Sequence, residues 1–199
     1  MINSEQRRTG EAKRIRLRRR VVGGFLLALL FTSRLSAATP PSSPTDLQVK
    51  AAYLYKFGAF VQWPAIAPQS DTFSICVLGH DSFGSVLDST INGESVNGKK
   101  LVAVRVSSTR EAAQCRILYI SNSEESRLHG ILSELAKAPV LTVSDIPHFS
   151  DRGGMIEFTL QNGRMRFDVN VTSAERAGLI LSSQLLKVAA SVKRGEARD

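Results

Sequence analysis

The chain of 199 residues carries two cysteines, Cys76 and Cys115, and their chemistry depends on where the protein works. In an oxidising compartment a thiol pair is most simply a disulfide, and otherwise these are two separate buried thiols. Joined sulfurs would remove any reactive-cysteine chemistry. The three histidines, His80, His129 and His148, are scattered, and none has a second ligand type at metal-binding spacing. Gly79-His80-Asp81-Ser82-Phe83-Gly84 follows a strand-like run and opens a helical one, the place where phosphates bind in doubly wound folds. It lacks the glycine density and the lysine of a phosphate loop, and Asp81 would repel an anion. The Gly-x-Ser-x-Gly and His-Glu-x-x-His signatures are absent, so an enzymatic reading has only His80 and Asp81 in its favour. Asn170-Val171-Thr172 fits a glycosylation acceptor but falls in a strand-like run. Spacing alone points to a non-catalytic domain that binds something, with no metal and no cofactor.

A second set of chemically suggestive residues is a group of facing charges, and the segment that positions them specifies its own register. Asn162-Gly163 is the strongest short hairpin signal. With these two as the turn, Gln161 faces Arg164, Leu160 faces Met165, Phe158 faces Phe167 and Ile156 faces Val169, which puts the apolar residues on one face. The other face carries Thr159 opposite Arg166 and Glu157 opposite Asp168. Two acids directly across from each other are mildly destabilising. Such an edge is either tuned for something besides stability or simply solvated, with Arg166 relieving the acids diagonally.

The net charge of +8 invites a nucleic-acid reading, but its distribution argues against one. Residues 1–38 hold nine of the 26 bases and two of the 18 acids, which leaves the remainder with 17 bases and 16 acids. A near-neutral body has no electrostatic footprint for a phosphate backbone. The basic stretch runs into Val21-Val22-Gly23-Gly24-Phe25-Leu26-Leu27-Ala28-Leu29-Leu30-Phe31 and then Thr32 to Ala38, the layout of a secretory signal peptide. That apolar run is well short of the roughly 20 residues that cross a bilayer, and Arg34 closes it. Cleavage is expected after Ala38, with Ser36 and Ala38 in the sites the peptidase reads. No Cys follows the apolar run, which argues against a lipid anchor. A retained anchor, twin-arginine export through Arg19-Arg20 and a buried helix are the other readings of this segment. General secretion accounts best for its charge and length, and export favours a Cys76–Cys115 disulfide.

The rest of the chain supplies the elements. Residues 39–44 are a Pro/Ser-rich spacer, residues 45–192 one domain, and residues 193–199 a charged tail. Thr45-Asp46 can cap a helix whose apolar residues Leu47, Ala51, Leu54, Phe57 and Val61 recur at helical spacing until Trp63-Pro64 stops it. Strand-like runs at about 73–78, 101–106, 116–120 and 140–143 alternate with helical stretches near 81–89, 109–113 and 124–137. This alternation implies parallel pairing with helices packed on the sheet. It would bring Cys76 and Cys115, at strand edges, within bonding reach. A last helix is expected from about Ser173 to Val192, with Ala177, Ile180, Leu181, Leu185, Val188 and Val192 on one face. The fold class is therefore α/β: a single domain with a mostly parallel sheet flanked by helices, a C-terminal antiparallel hairpin and a closing helix.

An ordered set of motifs resembles the YfiR-like family of bacterial periplasmic proteins. It comprises Val49-Lys50-Ala51-Ala52-Tyr53-Leu54-Tyr55-Lys56-Phe57, Phe60-Val61-Gln62-Trp63-Pro64, Ile75-Cys76-Val77-Leu78-Gly79 and Cys115-Arg116-Ile117-Leu118-Tyr119-Ile120. Leu141-Thr142-Val143-Ser144-Asp145, Gly153-Gly154-Met155-Ile156 and Asn162 to Asn170 continue it into Ala174, so the likeness spans about residues 47–190. The resemblance implies a dimeric α/β protein of the periplasm, itself not an enzyme, that represses an inner-membrane diguanylate cyclase, YfiN, by binding its sensory domain. It also implies capture by an outer-membrane lipoprotein, YfiB, which raises cyclic di-GMP and favours biofilm. The family's cysteine pair matches Cys76 and Cys115. A second family disulfide brackets the Gly-Gly turn, and its positions fall near Ser150 and Glu157 here, so that bridge is missing. The family's lipoprotein contact falls on the hairpin and turn, at Ile156, Phe158 and Asp168, with Phe149 nearby; the hairpin register equally makes Ile156 and Phe158 core residues. The rival to a protein-binding regulator is a small-ligand sensor feeding another membrane receptor such as a sensor kinase. In it the aromatic first helix and Arg164 or Arg166 cradle an aromatic or carboxylate metabolite.

Overall fold

The computed structural model describes residues 45–67 and 70–195. The leader with Ala38, the spacer and the last four residues of the tail lie outside them. Thr45 caps the first helix, α1 (Asp46–Gly58), and its hydroxyl and the Gln48 side chain satisfy each other's backbone amides as a capping box. The helix ends five residues before Trp63. A Cβ at Gly58 would meet the Phe73 ring at 2.9 Å, and beyond it Val61 and Gln62 form β1 instead, paired antiparallel with β9 (Ile180–Leu181). Long-range strand pairing here overrides a helical spacing of apolar residues.

The Val-, Ile- and Leu-rich runs form β2 (Thr72–Leu78), β4 (Lys99–Val106), β5 (Ile117–Ile120) and β6 (Leu141–Ser144). They lie parallel in the order β4-β2-β5-β6. The connections are α2 (Ser85–Ile91), the short edge strand β3 (Ser95–Val96), α3 (Thr109–Ala112), and a 3-10 turn (Asn122–Arg127) leading into α4 (Leu128–Leu135). Helix α2 starts later than its spacing suggests because Asp81 Oδ1 accepts the amides of Phe83 and Gly84, which makes a turn of that segment. Leu128, Ile131, Leu132 and Leu135 share the buried face of α4.

The sheet continues through the hairpin β7 (Ile156–Gln161) and β8 (Arg164–Asn170). Their register is the one that Asn162-Gly163 specifies, from Gln161 opposite Arg164 to Ile156 opposite Val169, with both turn residues at positive φ. The expected closing helix is divided. Helix α5 (Val171–Arg176) is stopped by Gly178 at φ +74°, β9 joins β1, α6 (Ser183–Val188) is capped by Ser182, and β10 (Ser191–Lys193) adds parallel to β8. The described strands of the large sheet number eight, in the order β10-β8-β7-β6-β5-β2-β4-β3.

Alternation along these strands builds two cores. On one face Val77, Tyr119, Val143, Ile156 and Val169 pack under α1, with Tyr53 and Phe57 against Phe158 and Phe167 at ring separations of 5.1–6.0 Å. The Tyr119 hydroxyl and Lys50 both bond Asp145, at 2.7 and 2.6 Å, which pins α1 to the end of β6. Burial, and after it the Asp145 charge, keep the Tyr119 phenol protonated well above its usual range. On the opposite face Leu78, Leu118 and Ile120 pack under α3 and α4. This second core includes the disulfide: Cys76 in β2 and Cys115, just before β5, are bonded with Cα atoms 6.1 Å apart. Closing a loop across 39 residues of sequence stabilises the fold by about 4 kcal/mol in the chain-entropy model. Replacing both cysteines by alanine is therefore expected to remove a few kcal/mol, read as a lower denaturation midpoint with a steeper denaturant slope, because the unfolded chain without the crosslink exposes more surface.

Candidate functional site

Strand β6 passes to β7 through a compact turn over residues 145–155, and this turn with the hairpin forms the candidate site. Ile146 and Phe149 fill the second core from inside the turn, both fully buried. Gly154 N–H donates to the Phe149 carbonyl, and a Cβ at Gly154 would overlap the Phe149 ring. That close approach is why a glycine is needed here. His148 and Gly153 take positive φ on either side.

The hairpin holds the turn through a carboxyl. Glu157 is 8% exposed and accepts hydrogen bonds from the His148 amide at 2.9 Å, the Ser150 amide at 3.0 Å and the Ser150 hydroxyl at 2.8 Å. Ser150 and Glu157, near which the resemblance led us to expect the family's second bridge to fall, are joined by hydrogen bonds that tie the turn to the strand. Asn170 adds a bond to the Ser150 carbonyl while its side-chain oxygen caps α5. Lys193 of β10 reaches Ser150 Oγ at 2.8 Å and Asp151 at 2.6 Å, and Arg152 reaches Glu125.

Directly across from Glu157 lies Asp168. Its Oδ1 is buried without a hydrogen-bond partner. Burial, and next the neighbouring Glu157, push the Asp168 carboxyl above its ordinary range, with Lys193 pulling the other way. The two acids are therefore not both solvated charges: Glu157 is structural, and Asp168 is the strained member. Arg166, expected to relieve them, bonds instead toward the Val188 carbonyl at 3.5 Å.

Of the expected contact residues, Phe149, Ile156 and Phe158 are buried at 0–4% exposure, so they support the surface from beneath and do not form it. The reason is the register: Ile156 and Phe158 lie on the α1 face, and the turn folds Phe149 inward. Asp168 is partly exposed, and His148, Asp151 and Arg152 beside it are exposed. Sequence reasoning passed over these three because nothing in their spacing marks them. The arginine cradle is not assembled either. The aromatic cavity beside α1, about 220 Å³, is lined by Tyr53, Phe57, Phe60, Phe167 and Leu185, with Lys56 its cation. Arg164 and Arg166 alternate onto the other face of β8 and do not line it. Among the described residues, no group of three or more His, Cys, Asp or Glu could hold a metal ion.

A family model described as YfiR/HmsC-like matches residues 47–190. The chain belongs to the YfiR/HmsC-like family. It is a regulatory family associated with cyclic di-GMP signalling. A solved structure of a conserved domain protein from Vibrio cholerae O1 biovar El Tor is similar at 15% identity and a TM-score of 0.53, covering 76% of this chain and 62% of that one. This likeness is one of fold. A looser one is to the ABC domain in complex with L-Trp from Streptococcus pneumonia, at 13% identity and a TM-score of 0.47, covering 72% of this chain and 60% of that one. The chain thus spans about three fifths of the length of each solved relative.

Two outcomes test the site's construction. Gly154→Ala forces Phe149 out of its seat and is expected to cost about 1–3 kcal/mol of stability, as other overpacking changes do. The second concerns pH. Because the folded state raises the Asp168 pKa, it holds that proton more tightly than the unfolded chain, and ionising Asp168 works against folding. That penalty is absent in acid and appears as pH rises through the folded titration. Asp168→Asn is expected to raise the melting temperature at neutral pH, the gain vanishing as pH falls. A gain that is the same at every pH would show that charge is not its cause.

Proposed function

We propose that this chain is a periplasmic regulator that binds and represses the sensory domain of an inner-membrane diguanylate cyclase of the YfiN kind, and so restrains cyclic di-GMP output and biofilm formation. The observation that carries the reading is the family match over residues 47–190. The disulfide supports an oxidising compartment, and the secretory layout of residues 1–38 supports export with cleavage after Ala38. No described helix is long and apolar enough to cross a membrane.

The mechanism is population shift. A regulator that binds one state of the sensory domain more tightly suppresses the cyclase by that difference in affinity and no more. An interface on the order of 1,600 Å² would suffice. Release follows when a lipoprotein of the YfiB kind captures the regulator on the hairpin and turn. Asp168 and the exposed His148, Asp151 and Arg152 offer the contact, over a base of Phe149, Ile156 and Phe158. The small-ligand reading has one observation behind it, the aromatic cavity beside α1. At about 220 Å³ that cavity is below the usual range for small-molecule sites of about 300–1,000 Å³.

Deleting the gene is expected to raise cyclic di-GMP, and supplying the chain in trans to restore it. An unchanged level would remove the repressor reading. Asp168→Arg is expected to weaken lipoprotein capture about tenfold, or about 1.4 kcal/mol, with the melting temperature close to that of the unaltered protein. A saturable rise in melting temperature with a metabolite alone would favour the sensor instead.

A further inference from the structure

Two adjoining cavities open between α4, the turn that leads into β7, and α5. One, of about 240 Å³, has Leu132, Leu135 and Met155 as its floor, at 3–9% exposure. The other, of about 320 Å³, extends toward β10, where Thr172, Lys193 and Arg194 line it. Gly153, Ser173 and Arg176 line both, so the two form one groove with an apolar end and a cationic end. Gly153 sits at φ +101°, and a Cβ there would meet nothing within 4 Å, so nothing crowds the junction at that point. Together the cavities reach the size usual for small-molecule sites, about 300–1,000 Å³.

The charges along this groove are unequally matched. Lys193 is held by Asp151 at 2.6 Å and by Ser150 at 2.8 Å, and Arg152, over the apolar end, by Glu125 at 3.3 Å. Arg176 and Arg194 have no such partner. Among the described residues nothing bonds either side chain, and nothing bonds the Ser173 hydroxyl. Glu175 precedes Arg176 in α5, and successive residues of a helix do not face each other. A guanidinium is weakly hydrated and presents a fork of donors that matches a carboxylate or a phosphate. Exposed arginines alone are ordinary surface, and so is a shallow apolar floor. Two unspent guanidiniums and a hydroxyl that continue into an apolar recess are the parts of a small-molecule site, in which a few polar groups orient the ligand and the apolar wall holds it.

We propose that this groove binds a small amphiphilic anion, an organic acid or a phosphate monoester with a short alkyl body. Arg176 and Arg194 take the anionic head, the Ser173 hydroxyl donates to it, and the body lies over Leu132, Leu135 and Met155. The site is apart from the aromatic cavity beside α1 on which the sensor reading rests. It stands whether the chain is a repressor or a sensor.

Calorimetric titration of the full chain, purified in the form the cell leaves it, uses hexyl phosphate, hexanoate, inorganic phosphate and hexanol as probes. At least one of the two alkyl anions is expected to saturate one site per chain, and the tighter of them tells phosphate ester from carboxylate. Inorganic phosphate lacks the body and is expected to bind at least about tenfold more weakly than hexyl phosphate, since burying two methylenes is worth about that much. Hexanol lacks the head and is expected not to bind. Arg176→Gln and Arg194→Gln should each weaken the tighter anion by at least about tenfold, with melting temperatures near that of the parent, because neither arginine has a partner to lose. Arg164→Gln and Lys56→Gln should leave binding unchanged. The absence of saturable binding by either alkyl anion at millimolar concentration overturns the proposal. So does inorganic phosphate binding as tightly as hexyl phosphate, or hexanol binding as tightly as the anions. Binding that Lys56→Gln removes and the Arg176 and Arg194 variants keep also overturns it, since the ligand is then in the aromatic cavity. If one of the arginine variants fails to fold, the other and the probe series on the parent decide.

Discussion

Glu157 accepts three hydrogen bonds from residues 148 and 150, and the shape of the carboxyl half follows from that buried arrangement. The turn leaving β6 must reverse and feed a parallel strand within eleven residues, and a segment that short has few backbone partners of its own. Glu157, near the start of β7, supplies acceptors for two of its amides. With the turn so held, Phe149 is seated in the core, Ser150 is placed for Lys193, and Asn170 can cap α5 while bonding the turn. A buried acceptor of this kind is costly to lose, because the amides it serves would be left without partners.

The same geometry explains why Asp168 is strained. Along one row of the sheet the residues run Leu78, Ile120, Ser144, Glu157, Asp168 and Ser191. The row begins under α3 and α4, where apolar residues are needed, and ends where that helical layer has given out. Glu157 takes the donors the turn offers, and none remains for Asp168 Oδ1. Polar groups accumulate where the second core ends, and it is there that the molecule presents a charged, rigid surface.

Much of this was legible in the sequence, for a physical reason. Period-two alternation around Asn162-Gly163 allows one register only, since a slip of one residue would put Phe158 and Phe167 in water. The parallel strands were legible from their β-branched content and the helical stretches between them. The C-terminal segment was not. Ala177, Ile180, Leu181, Leu185, Val188 and Val192 fit a helical stripe, yet the edges offered by β1 and β8 and the left-handed Gly178 divide it into two helices and two strands. The role of Glu157 was hidden for another reason. Alternation assigns it to the outer face, and its donors are mostly backbone amides, which leave no trace in side-chain type. The burial of Phe149 depends on that clasp and was hidden with it.

The covalent ring closed by Cys76 and Cys115 encloses α2, β3, all of β4 and α3. Strand β4 therefore lies wholly within the crosslinked part of the chain. While the bond is intact, the two ends of this segment stay together even in the unfolded chain. Reduction of the bond would cost more than stability: it would free a valine-rich segment, residues 101–106, of the kind that seeds cross-β deposits. For such a protein thiol oxidation is a safeguard of the proteome as well as a brace for one fold.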